Sequence, residues 1–141
     1  MTGLLLDTNV ISATARVGHN HAVAEWIKAR AIDDLYLSAV TFGELTRGIE
    51  KLPDGRNRAR LADWLQRDVS PRFEGRVLAF DYASSAIWGR LMGALDISGK
   101  PRPALDMQIA AIAIQHGMTL VTRNTRDFAG IGVTLVNPWT D

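Results

Sequence analysis

Residues 103–128 read PALDMQIAAIAIQHGMTLVTRNTRDF, and this stretch decides the fold class. Pro103 opens a helix, the apolar run from Ile109 to Ile114 gives it a buried body, and Gly117 ends it. Thr119 to Val121 then reads as a short strand buried on both faces. A polar turn follows, carrying Arg123, Asn124, Arg126 and Asp127. One carboxylate, Asp106, thus sits in the first turn of a helix, and another, Asp127, lies just past a strand. The face Asp106, Ala110, Ala113, Gly117 is small, which lets this helix lie close to a sheet.

The same alternation recurs upstream. Leu4 to Leu6 is a purely apolar strand ended by Asp7-Thr8-Asn9, and a helical stretch begins at Val10. Val23, Trp26, Ile27 and Ala31 mark a helix over 21–31, after a loop at 18–21 in which Asn20 is the N-cap. Leu35 to Leu37 is a second strand, and Ser38 caps a helix over 39–52. Leu61, Trp64 and Leu65 share one face of a basic helix over 56–67. Val77 to Phe80 is a third strand, Asp81 caps a helix to about Leu95, and Val133 to Val136 is the last strand. Short apolar strands separated by helices predict an α/β fold, a three-layer α/β/α sandwich around a parallel sheet. In such sheets ligands bind beyond the carboxyl ends of the strands, where strand order reverses. Asp7, Ser38 with the Glu44 helix, and Asn124 with Asp127 are all aimed at that rim.

Composition sets the frame. At 141 residues with 47% hydrophobic and 22% charged content, the chain reads as one soluble domain over 1–141. The absence of cysteine excludes disulfides, thiolate metal sites and cysteine nucleophiles. No signal-like or membrane-length apolar run is present, so a cytoplasmic protein without membrane contact is expected. The net charge is +1, and thirteen of the sixteen cations are arginine, a side chain suited to phosphate contacts but also favoured by GC-rich codon usage.

Each acid has a structural duty available to it. Asp7 can cap the helix after it, Glu44 stands at capping-box spacing from Thr41, Asp106 complements a helix dipole, and Asp127 can cap a turn. Taken together they point to chemistry. Clustered carboxylates raise one another's pKa, and a hard cation relieves that repulsion; oxygen-only ligation suits Mg2+ or Mn2+. Asp7 and Asp106 are the expected metal ligands, with Glu44 and Asp127 completing the catalytic set. Such a site hydrolyses phosphodiesters with activated water. Thr8, Asn9, Thr122 and Asn124 are placed to orient ligands or water, and Arg123 and Arg126 to hold a phosphate. The basic helix with Arg56, Arg58, Arg60 and Arg67 is either an RNA track or a solvated face. The tripeptide His19-Asn20-His21 is a loop rather than a nuclease motif.

LLLDTNVIS (4–12), SAVTFGELTRGI (38–49) and LDMQIAAIAIQHGMTLVTRNTRDF (105–128), in this order and with a closing Asn137-Pro138-Trp139, resemble the PIN-domain ribonucleases. More narrowly they resemble the VapC-type toxins of toxin–antitoxin pairs, in the FitB-like branch. The resemblance covers nearly the whole chain. It implies a five-stranded parallel sheet, Mg2+- or Mn2+-dependent endoribonuclease activity, a homodimer, and a cognate antitoxin through which alone the protein reaches operator DNA. The family's first three acids fall on Asp7, Glu44 and Asp106. Its fourth falls by spacing on Asn124, a departure from the acidic pattern, with Asp127 three residues later as the other carrier. Asn124 also motivates an alternative: a weakly active or inactive module that regulates through its antitoxin on DNA. A third reading, an aspartyl-phosphate site on Asp7, lacks a suitably placed lysine.

Overall fold

The structure, a computed structural model, describes residues 3–15 and 21–141. Five strands form one parallel sheet in the order β3-β2-β1-β4-β5, with β1 at Leu4–Leu6, β2 at Leu35–Ser38, β3 at Val77–Leu78, β4 at Thr119–Val121 and β5 at Leu135–Val136. The register pairs Leu4 with Leu35 on one side of β1 and with Thr119 on the other. β1 is therefore the central strand, and strand order reverses between it and β4. Each residue of β1 faces the layer opposite to its neighbour's. Leu6 joins Val10, Val23, Leu37 and Phe73 in one core, and Leu5 joins Met107, Ile109, Ile112 and Leu120 in the other. Two cores on the two faces of one sheet make the expected three layers.

Helices α1 (Thr8–Ala13), α2 (His21–Lys28), α3 (Ala39–Glu50) and α4 (Arg56–Trp64) supply the first layer, and α6 (Tyr82–Ser98) and α7 (Ala104–His116) the second. α7 is buried at Met107 and from Ile109 through Ala113, so apolar residues surround it on nearly every side. Gly117 closes it in a left-handed conformation, φ 64°, which a side chain would resist. α6 begins with a reciprocal capping box in which Asp81 and Ser84 bond each other's backbone N–H groups. Among the described residues no helix is long and apolar enough to cross a membrane. The expected loop at 18–20, with its Asn20 cap, lies outside the described residues.

One sequence expectation changes, and of the two readings left open for the basic helix, RNA track or solvated face, the ion pairs favour the second. The basic helix does not stop at 67: it runs on through a wide turn at Leu65–Val69, where the Ser70 N–H bonds the Leu65 carbonyl, into α5 (Ser70–Arg72). The apolar row Leu65, Val69, Phe73 remains buried throughout, and this packing outweighs the break that Pro71 signals. That helix is also no simple phosphate track. Arg58 pairs with Glu50 and Asp54, Arg67 pairs with Asp63, and Arg60 bonds the Ala15 carbonyl and Asn57.

Candidate active site

Asp7 leaves the central strand at the point where strand order reverses. It is only 4% exposed, and it caps α1 by accepting the Thr8 N–H through Oδ1 at 2.8 Å. Its other oxygen accepts from the Thr122 hydroxyl at 2.8 Å and the Asn9 amide at 3.3 Å. Thr122 immediately follows β4, so a single carboxylate joins the ends of the two central strands. Burial, the largest influence, pushes the Asp7 pKa up; the bonds from Thr122 and Thr8 pull it back, and Glu44 and Asp127 push it up further.

Glu44 arrives from α3. The capping box expected between Thr41 and Glu44 does not form, because α3 starts at Ser38, whose hydroxyl accepts the Thr41 N–H at 3.0 Å. Glu44 lies one turn further on and accepts the Thr8 hydroxyl at 2.6 Å. The proton count then orders the neighbours. Thr8 has one hydroxyl proton and gives it to Glu44, so the Thr41 hydroxyl, 3.0 Å away, must be the donor to Thr8. Ser38 in turn donates to Thr41 at 3.2 Å. Three hydroxyls thus point in sequence toward one carboxylate, and Ser38 and Thr41 are fully buried.

Asp106 stands half-buried in the first turn of α7, and its carboxyl is pushed up to about 6, first by burial and then by Asp7, Glu44 and Asp127. Three acids from α1, α3 and the turn after β4 therefore act on a fourth from α7. Electrostatic influence thus links Asp106 to Asp7, Glu44 and Asp127, although among the described residues no three acids stand close enough to share one ion ready-made. Asp127 belongs to this set through its charge. Asn124 takes part through its backbone, its N–H bonding Thr122 Oγ1 at 3.1 Å. Among the described residues, neither Asp106 nor Asp127 has a hydrogen bond or ion pair to its carboxylate, and no acid of the set is paired with an arginine or lysine.

This donor set fits a hard divalent cation: all oxygen, mutually repelling, and lacking other counter-charge. No group of three or more His, Asp or Glu side chains among the described residues forms a ready-made metal cage. Two carboxylates with retained waters remain compatible with magnesium, which dehydrates reluctantly.

Of the two arginines expected to hold phosphate, Arg123 lines a cleft of about 560 Å3 that opens beside Thr8, Asn9 and Glu44. Its guanidinium lies over the Trp139 ring at 5.0 Å. Asn137 bonds the Arg123 carbonyl at 3.4 Å and caps Trp139 at 2.9 Å, which explains the closing Asn-Pro-Trp. Arg126 is exposed at the edge of the turn. Sequence reading overlooked Thr41 as a site residue, although Ser-x-x-Thr ahead of Glu44 was the available signal.

A family described as the PIN domain matches residues 4–133. The chain is 40% identical to VapC ribonuclease Y4jK of Sinorhizobium fredii, covering 96% of this chain and 97% of the relative. It is 39% identical to the toxin FitB of Neisseria gonorrhoeae, covering 98% and 99%. Among solved structures, that of FitAB bound to an IR36 DNA fragment superimposes with a TM-score of 0.89 at 38% identity, over 96% of this chain and 95% of that one. The family match over residues 4–133, with likeness of this degree across nearly the whole chain, shows that the chain belongs to the PIN-domain family.

Proposed function

We propose that this protein is a single-domain, metal-dependent endoribonuclease, the toxin of a type II toxin–antitoxin pair. The observation that carries the proposal is the Asp7 carboxylate, buried where strand order reverses and held there by Thr122, Asn9 and the Thr8 N–H, in a chain of the PIN-domain family. Asp7 and Asp106 would hold Mg2+ or Mn2+. Such an ion, when bound, neutralises charge on the phosphoryl oxygens and makes a water more acidic.

The remaining work belongs to the chain. Thr122, Asn9 and the α1 cap hold the Asp7 carboxylate from three directions, so it meets a ligand without reorganising. The hydroxyl series through Thr8 keeps Glu44 aimed into the rim. Glu44 and Asp127 are the acceptors that orient the attacking water opposite the leaving oxygen. Arg123, which lines the cleft beside Glu44, and the exposed Arg126 bind phosphates on either side of the cut. The influence of the Asp127 charge on Asp106 supports Asp127, rather than Asn124, as the fourth acid and so favours the enzyme over an inactive regulatory module.

The similarity to FitB, and to a FitAB structure on DNA, supports a cognate antitoxin and contact with operator DNA only through it; a homodimer and a cytoplasmic location complete the proposal. Purified protein is expected to cut structured RNA when Mg2+ or Mn2+ is present and to stop in excess chelator. Full cleavage in chelator would defeat the proposal.

A further inference from the structure

Arg102 precedes α7 and reaches across to the turn at Thr125–Phe128. Its Nη1 donates to the Asp127 carbonyl at 2.6 Å and its Nη2 to the Ala129 carbonyl at 3.2 Å. We infer that Arg102 is a positioning residue that sets the Asp127 carboxylate against Asp106. This rests on the reading of the rim as a metal-dependent ribonuclease site.

The turn has few other fixings. Internally it is closed by Asp127 N–H to the Asn124 carbonyl at 3.0 Å and by Ala129 N–H to the Arg126 carbonyl at 3.5 Å, the second at the weak end of the range. Phe128, 1% exposed, anchors it in the core beneath α7. That ring is the residue next to Asp127, so any freedom of the turn to rotate about it would redirect the Asp127 carboxylate. A planar guanidinium bonded to two carbonyls two residues apart removes that freedom.

The other end of the link is equally short. Pro103, at φ −59°, and the first turn of α7 separate Arg102 from Asp106. Arg102 therefore couples the third acid to the fourth at the polar edge, beside the core contact that Phe128 makes beneath α7. Lysine would keep the charge while offering a point donor in place of a fork.

The test compares wild type, Arg102→Met and Arg102→Lys, each as the full chain. Single-turnover and steady-state cleavage of a structured RNA are measured with Mg2+ and Mn2+, RNA affinity is measured in chelator, and amide exchange is followed over residues 125–129. Arg102→Met is expected to lower kcat by about tenfold or more, since small misplacements of reacting groups carry such penalties. KM and RNA affinity stay within about twofold of wild type, exchange at Asp127 and Ala129 accelerates, and the middle of α7 is unaffected. Arg102→Lys fails to restore kcat. A raised KM that lysine repairs would instead make Arg102 a phosphate contact and overturn the inference. Wild-type kcat in Arg102→Met, or a lowered melting temperature with kcat unchanged, would also overturn it. If wild type itself cuts no RNA, the reading of the site fails, and the exchange measurement still decides the strap: faster exchange upholds it and unchanged exchange refutes it.

Discussion

Removing one negative charge from the rim should make the metal-free protein more stable while ending its activity. Asp106→Asn is the change to make. A carboxyl moved from 3.8 to about 6, at about 1.4 kcal/mol per pH unit, corresponds to roughly 3 kcal/mol of strain on ionisation. Asp106 is half-exposed, so solvent screening reduces this by about half. Loss of a favourable charge in the first turn of α7 returns about 0.3–1 kcal/mol. The variant is therefore expected to gain about 1 kcal/mol at neutral pH. The folded pKa is raised, so between about pH 4 and pH 6 the folded state binds more protons than the unfolded state, and wild-type stability falls as pH rises through that window. The gain of Asp106→Asn is accordingly full above about pH 6 and gone by about pH 4. Urea unfolding in chelator across this range measures it. Added Mg2+ should stabilise wild type and leave the variant unmoved. A variant less stable than wild type at neutral pH, or a gap that does not change with pH, would refute the electrostatic account of the site.

Asp7→Asn should abolish RNA cleavage while the fold survives, because an amide oxygen can still cap α1; a melting curve beside a cleavage gel checks both. Thr41→Val removes the middle of the hydroxyl series, taking from Ser38 its acceptor and from Thr8 its donor, at a cost of about 1–3 kcal/mol in stability. Cleavage should fall by about 10- to 100-fold and return in Thr41→Ser, as for residues that orient ligands from behind. Phe73→Ala should destabilise the protein by about 3–5 kcal/mol in urea melts, since the row beyond the wide turn belongs to the core; a change under about 1 kcal/mol would show that the turn is peripheral.

The parts of the fold that sequence reading recovers are those with local causes. Pro103, the apolar body of α7 and Gly117 act within their own neighbourhood, and β4 occupies Thr119–Val121 as expected. Ser38 and Asp81 cap α3 and α6 for the same reason. What escaped depends on contacts between distant segments. Val69 and Phe73 carry a helix past Pro71 only because they pack into a core built from β1 and α1. Thr41 looked like the partner of Glu44 because the two share a helix, yet Thr8, thirty-six residues upstream, is the real one. The reading of the acids as one set came from the topological rule on strand ends, which offers no way to choose between Asn124 and Asp127 because both lie in one turn after β4.

The placement of β1 has a consequence for synthesis on the ribosome. One neighbour of the central strand, β2, follows within about thirty residues, but the other, β4, is encoded more than a hundred residues later. A growing chain therefore carries an open, apolar strand edge for most of its translation, and Asp106 and Asp127 are among the last third to emerge. No catalytic pocket can assemble before then. A cell making this chain has nearly the full elongation time to bring a neutralising protein to the scene before the first active molecule closes.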